Sequence, residues 1–150
     1  MASRRKGRIL AFQALYSWDL VYSQTGRTEL PEGLLDFPWI GNEKRASLDE
    51  ETSAFSRLLV CGTAESISDI DALIKSHLEH WDISRLNRVD LAILRMSVFS
   101  LMHQKEIAPS IVINEAIGIS REFGTEDSYR FVNGVLDSIR KSLLDKQNEP

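Results

Sequence analysis

The sequence contains little cysteine and lacks the segments that mark secreted or membrane-spanning proteins. Cys61 is the single cysteine among 150 residues, so an internal disulfide is impossible and a reducing compartment is expected. No apolar run reaches the roughly 18–20 residues that a membrane-spanning helix needs. No apolar signal-peptide core follows the basic N-terminus. These absences predict a cytoplasmic protein with no membrane partner.

The common catalytic motifs are missing as well. The sequence has no glycine-rich phosphate loop, no GxSxG nucleophile elbow and no HExxH zinc motif. His77 and His80 are spaced to share a helix face, as metal ligands can be, but no cysteine joins them. We therefore predict no catalytic residue, no metal and no cofactor, and we expect exposed histidines and a packing role for Cys61. A small metal-dependent enzyme is the alternative that His77 and His80 leave open.

Acidic residues are absent from the start of the chain, although the chain as a whole is acidic. The net charge is −4; residues 1–18 carry +4, so residues 19–150 must carry −8. The four positive charges belong to Arg4, Arg5, Lys6 and Arg8. An acidic body argues against a general nucleic-acid coat, whereas a short basic segment can contact phosphates locally. The alternative interpretation of this segment is a solubilising tail.

Strand-like alternation is also missing, and apolar residues recur at the spacing of helices instead. The pattern predicts an all-α protein, with six or seven helices in two small packed subbundles and a single domain over residues 1–150. The first helix is expected to run from near Ser3 to about Tyr22. Its apolar face is predicted to contain Ile9, Phe12, Tyr16 and Leu20, widened by Leu10, Leu15 and Trp18.

A loose connector is predicted for residues 23–47, because glycine and proline interrupt any regular pattern there. A short helix could begin at Pro31, and Trp39 is expected to fill part of the core. Farther along, Trp81 is predicted to close a helical segment. Asn87 is a typical N-cap, with Asp90 as the acidic residue three positions later. The next helix is apolar nearly all round, so we expect it to be central and buried.

Residues 114–137 carry the strongest functional signals. One helix is expected to end in a left-handed turn at Gly124, and Gly134 within the next helix suggests close packing. The break leaves Asp127, Arg130 and Phe131 at a corner. An aromatic ring beside a cation suits the binding of unpaired bases. The alternative is a core phenylalanine beside a solvated arginine.

Four blocks of the sequence resemble the NusB family of bacterial transcription antitermination factors. They are AFQALYSWDL (Ala11–Leu20), VDLAILRMSVFSL (Val89–Leu101), INEAIGISREFG (Ile113–Gly124) and DSYRFVNGVLD (Asp127–Asp137). The last two blocks, at this spacing, are the most specific. A domain of this kind also begins some ribosomal RNA cytosine methyltransferases. Because no cofactor domain follows here, we expect the free-standing factor.

The resemblance implies an all-helical fold of two subbundles and a non-enzymatic protein that binds the single-stranded boxA element of ribosomal RNA leaders. It also implies a protein partner, NusE (a ribosomal protein of the small subunit), and assembly with other Nus factors on RNA polymerase. The RNA-binding residues that it implies are Arg4, Arg5, Lys6, Arg8, Asp127, Arg130 and Phe131. The partner-binding residues that it implies are Tyr16 and Asp90. A homodimer through the same faces is left open.

The sequence departs from the family pattern at three positions. Leu91 stands where a basic residue is common, and Ser100 and Gly118 stand where glutamates are frequent. Leu91 and Ser100 lie on the helix that is expected to approach NusE, so we expect that interface to differ in detail. The rival interpretation is a helical protein–protein adaptor that does not bind RNA. It is supported by the acidic body and by the face that carries Tyr16.

Overall fold

The computed structural model describes residues 3–80 and 82–147, and this part of the chain is helical and contains no strand. Seven α-helices lie within the described residues: α1 (Arg4–Thr25), α2 (Asn42–Ala46), α3 (Glu50–Glu65), α4 (Ile67–Ser76), α5 (Arg88–His103), α6 (Pro109–Phe123) and α7 (Ser128–Gln147). The prediction of an all-α fold is confirmed, and with the short 3₁₀ helices the number of helices in the described residues is slightly above the six or seven predicted. None of the described helices is both long and apolar enough to cross a membrane. Trp81 lies outside the described residues.

Local side-chain caps explain where the main helices begin. The hydroxyl oxygen of Ser3 accepts a hydrogen bond of 3.1 Å from the backbone N–H of Lys6, at the start of α1. The side-chain oxygen of Asn87 accepts bonds of 2.9 and 3.2 Å from the first N–H groups of α5. Each cap satisfies donors that a helix leaves open and contributes about 1 kcal/mol. The predicted starts at Ser3 and Asn87 are confirmed.

Helix α5 is the centre of the molecule. It packs against α1, α3, α4, α6 and α7. Ile93, Leu94 and Val98 are completely buried within it. The α1–α3 and α6–α7 pairs therefore form two subbundles that share α5, as predicted. Because the helix is apolar nearly all round, it can be packed from both sides.

A buried charged cluster joins α1, α4 and α5. Arg95 of α5, which is only 4% exposed, donates from Nε and Nη2 to the two carboxylate oxygens of Asp71 on α4, both at 2.9 Å. Its Nη1 donates to Asp19 of α1 at 2.8 Å. The second oxygen of Asp19 lies 2.9 Å from Nε of Arg88. One guanidinium thus fixes three helices relative to each other.

The connector between α1 and α3 differs from its prediction. No α-helix begins at Pro31; instead Leu34–Asp36 and Pro38–Ile40 form short 3₁₀ helices. Trp39 is 40% exposed, so its predicted place in the core is wrong. Phe37 is buried there instead. Its φ of 52° lies in the left-handed region, at the junction between the two 3₁₀ helices.

Two glycines near the predicted corner do not have the roles expected of them. Gly124 has φ −91° and ψ −169°, so the predicted left-handed turn is wrong. A Cβ atom at Gly124 would lie 2.6 Å from the Ser128 side chain and 2.7 Å from the carbonyl oxygen of Ser120, so space is what requires glycine there. At Gly134, no atom of a neighbouring element lies within 4 Å of a Cβ position, so the predicted close packing is also wrong.

Candidate nucleic-acid and partner interface

The four cations at the start of α1 lie in different environments. Arg4, Arg5 and Lys6 are exposed, whereas Arg8 is only 6% exposed. The guanidinium carbons of Arg4 and Arg8 lie 4.2 and 5.3 Å from the centre of the Phe55 ring on α3. Burial lowers the pKa of Arg8. Arg8 therefore anchors the basic segment against α3, and the other three cations face solvent.

Gly7 allows the start of α1 to pack closely against α3. A Cβ atom at Gly7 would lie 2.8 Å from the Phe55 ring and 3.3 Å from the carbonyl oxygen of Thr52. The backbone N–H of Ser3 also donates to the hydroxyl of Thr52, at 2.9 Å. The cations are consequently presented from a helix that is held against α3.

Arg5 extends from α1 to α6. Its Nη1 lies 3.1 Å from Oε2 of Glu115. Its Nη2 lies 2.6 Å from the place that a Cβ atom would occupy at Gly118. The departure from the family pattern at Gly118 therefore makes room for Arg5. A partly exposed ion pair of this kind contributes about 0–1 kcal/mol, so a phosphate can compete for the guanidinium.

The predicted corner lies where α7 begins. Asp127 and Arg130 are exposed, and Phe131 is half-buried against the core. Nε of Arg130 donates to the hydroxyl of Tyr129 at 3.0 Å, and this bond raises the pKa of Arg130. Three predicted RNA-binding residues therefore share one small region of surface, and Phe131 is partly exposed to solvent there.

Asp90 lies beneath this corner. It is 6% exposed in the first turn of α5. Burial raises the pKa of its carboxyl group, and a hydrogen bond with the Ser128 side chain acts in the opposite direction. The Ser128 hydroxyl in turn accepts a bond of 2.9 Å from the backbone N–H of Thr125. Asp90 is thus placed to support the turn that carries Asp127.

Tyr16 lies on an exposed apolar groove. It is 41% exposed, so the face of α1 that was predicted to be apolar is partly on the surface. The groove encloses about 380 Å³, and its apolar walls include Phe12, Tyr16, Trp39, Val89 and Phe123. The rings of Phe12 and Phe123 lie 5.1 Å apart. The groove therefore reaches from α1 to the end of α6, close to the corner.

The two family departures on α5 are internal. Leu91 is fully buried, and the buried hydroxyl of Ser100 donates to the side-chain oxygen of Gln104 at 2.6 Å. Neither side chain is presented to a partner. The sequence differences at these positions are accommodated by the core.

Arg121 is a candidate that the sequence analysis missed. Its guanidinium carbon lies 4.5 Å from the centre of the Tyr129 ring. Arg121 is near the end of α6 and Tyr129 is in the first turn of α7. The local pattern gives no signal for this pair, because a break between two helices separates the residues and only the fold brings them together.

The histidines and the cysteine have ordinary surroundings. Nδ1 of His77 lies 2.7 Å from the hydroxyl of Ser138, and Nε2 of His80 lies 3.9 Å from a carboxylate oxygen of Glu79. Within residues 3–80 and 82–147, no group of three potential ligands is arranged to hold a metal ion. Cys61 is half-buried, and burial raises the pKa of its thiol.

Comparison with known proteins identifies the family. The model of the NusB family matches residues 5–141. The transcription antitermination protein NusB of Treponema pallidum is 53% identical over 139 residues, which cover 93% of each chain. The structure of T. maritima NusB has a TM-score of 0.77 at 34% identity and covers 94% of this chain and 93% of its own.

A second solved structure contains the antitermination factors NusB and NusE in complex with double-stranded RNA. It matches with a TM-score of 0.76 at 31% identity, over 93% of this chain and 96% of its own. Sequence and fold agree over nearly the whole length. The chain therefore belongs to the NusB family of transcription antitermination proteins.

Proposed function

We propose that this protein binds single-stranded boxA RNA in ribosomal RNA leaders together with NusE, within a complex of Nus factors on RNA polymerase. One observation carries the RNA part of the proposal. The basic segment reaches the surface of α6 through Arg5, and the aromatic corner lies just beyond the end of the same helix. Arg5 contacts Glu115 of α6, and the corner follows directly after that helix. One RNA strand can therefore contact both groups.

The residues divide between phosphates and bases. Arg4, Arg5 and Lys6 bind phosphates, because they are exposed and positively charged. Phe131 stacks on a base, Arg130 holds the backbone beside it, and the exposed Asp127 lies within reach of the same nucleotide. Arg8 supports the basic segment from below. This mode of binding requires no catalytic residue, metal or cofactor.

NusE is proposed to occupy the apolar groove beside Tyr16. Phe123 in the wall of the groove is the last residue of α6, and Val89 in the same wall is the neighbour of Asp90 in the chain. Because Asp90 is buried under the corner, we assign it a supporting role: it holds the turn on which the RNA site is built. NusE in the groove would then extend the RNA surface.

Replacing Arg4 and Arg5 with alanine tests the phosphate contacts. If each arginine meets one phosphate of a single strand, the double variant is expected to reduce the slope of log affinity against log salt by about 1.4. The measurement is a titration of fluorescent boxA RNA at four salt concentrations. The matched control changes Arg27 and Lys44 to alanine, which removes the same charge from the exposed connector. An unchanged slope in the Arg4/Arg5 variant would contradict phosphate binding by these residues.

A protein–protein adaptor without an RNA role is the second candidate, and the groove around Tyr16 is the observation that favours it. An adaptor would bind NusE through this groove with an affinity that RNA does not alter. The proposed factor, by contrast, must bind NusE and RNA with mutual dependence, because linkage between two ligands is reciprocal.

A further inference from the structure

We propose that the guanidinium of Arg121, which stacks on the Tyr129 ring, forms an additional stacking site for an RNA base between the basic segment and the corner. The proposal rests on the RNA-binding function and adds to it a site that neither the sequence analysis nor the family comparison assigned.

The geometry of the pair is that of a cation–π stack. The guanidinium carbon of Arg121 lies over the Tyr129 ring at 4.5 Å from its centre, well inside the roughly 6 Å limit for this interaction. Tyr129 is half-buried, and its hydroxyl accepts the hydrogen bond from Arg130. The ring is therefore held at its hydroxyl end, and it in turn holds the guanidinium of Arg121.

The side of Arg121 away from the ring is available to a ligand. Arg121 is exposed, and among the described residues its guanidinium has no carboxylate within ion-pair distance. Proteins that recognise single-stranded RNA stack unpaired bases on aromatic rings and on arginine planes. Tyr129 below and a base above would enclose the guanidinium between two flat π-systems.

The position of Arg121 along α6 places it on the path of the RNA. It follows Gly118 by three residues, and residues three apart on a helix are neighbours on its surface, about 5–6 Å apart. The guanidinium of Arg5 lies over Gly118. The sequence of groups along this surface is therefore Arg5, Arg121 and then the corner with Arg130. A strand that contacts both ends passes over Arg121.

Arginine and lysine variants separate stacking from charge. Lysine keeps the positive charge but lacks the plane that stacks on a base. Arg121→Lys is therefore expected to weaken binding of single-stranded boxA RNA by roughly 5- to 150-fold, the effect of one stacked base. The slope against log salt should be unchanged. Arg27→Lys, at an exposed position in the connector, is the matched control and should bind like the unchanged protein.

Variants at Tyr129 test whether the ring beneath Arg121 is needed for the stacking site. Tyr129→Leu removes the ring under Arg121 and should lose about as much affinity as Arg121→Lys, whereas Tyr129→Phe keeps the ring but removes the hydroxyl that accepts from Arg130 and should lose less than Tyr129→Leu. The double variant should lose little more, because the two residues act as one unit. Thermal unfolding of each variant, followed by circular dichroism, shows whether a loss of affinity is accompanied by a loss of folding.

The possible outcomes separate this inference from the function on which it rests. If the unchanged protein does not bind boxA RNA, the proposed function fails. If the unchanged protein binds and Arg121→Lys binds equally well, the stacking site is overturned and the function stands. If Arg121→Ala weakens binding and lowers the salt slope by about 0.7 while Arg121→Lys has no effect, Arg121 is a phosphate contact and the stacking site is again overturned.

Discussion

Replacing Arg95 with methionine is expected to lower the free energy of unfolding by about 3–5 kcal/mol, because the change leaves the buried carboxylates of Asp19 and Asp71 without their shared cation. Methionine retains most of the apolar stem of arginine, so the loss reports the charge rather than the packing. Urea unfolding followed by circular dichroism measures it.

Two comparisons make the Arg95 result specific. Arg140→Met breaks an ion pair with Asp137 on the surface of α7 and should cost no more than about 1 kcal/mol. Adding Asp71→Asn to the Arg95 variant should recover part of the loss, because Asp71 has lost its cation, whereas Asp19 keeps its ion pair with Arg88. If Arg95→Met costs as little as Arg140→Met, the buried cluster does not hold the helices together.

Replacing Phe131 with leucine is expected to weaken binding of boxA RNA by about 1–3 kcal/mol, or roughly 5- to 150-fold, through the loss of a stacked base. Leucine fills much of the same space, so the free energy of unfolding should fall by only about 1 kcal/mol. Fluorescence anisotropy with labelled RNA measures the affinity, and urea unfolding measures the stability.

Phe123→Leu is the matched control for Phe131. Like Phe131, Phe123 is a partly exposed aromatic residue. It lies at the end of α6 and lines the groove with Tyr16. Its replacement should leave RNA binding by the isolated protein unchanged and should weaken binding of NusE. If the Phe131 variant loses stability but keeps its RNA affinity, Phe131 is a core residue and does not belong to the RNA site.

The helices of this protein could be predicted from sequence because their signals are local. Asn87 caps α5 through its own neighbours. Pro109 opens α6, since a proline in the first turn lacks only a donor that the helix does not use. These features depend on a few adjacent residues and are independent of the rest of the fold.

The parts that sequence could not supply depend on contacts between distant residues. Helix α1 has two overlapping apolar faces; Leu15 and Trp18 are buried, whereas Tyr16 and Leu20 remain exposed. The positions of α3 and α5 decide which of the two faces is buried, and the sequence of α1 alone does not give those positions. The same holds for Arg8, which belongs to the same basic run as the exposed Arg4 but is buried.

The same limit applies to the site. The corner at Asp127–Phe131 could be proposed from its residue types, because aromatic and basic side chains beside a helix break are visible in the sequence. The Arg121–Tyr129 stack could not, because it depends on how α6 and α7 meet. The room that Gly118 leaves for Arg5 is likewise visible only when α1 has been placed against α6.

We propose that this protein binds boxA RNA and that NusE strengthens the binding. The most direct test is a titration of boxA RNA and of a scrambled RNA of the same length, with and without NusE, at two salt concentrations. We expect preference for boxA, tighter binding in the presence of NusE, and weaker binding at higher salt. Equal binding of both RNAs, with NusE present or absent, would contradict the account and would favour the adaptor.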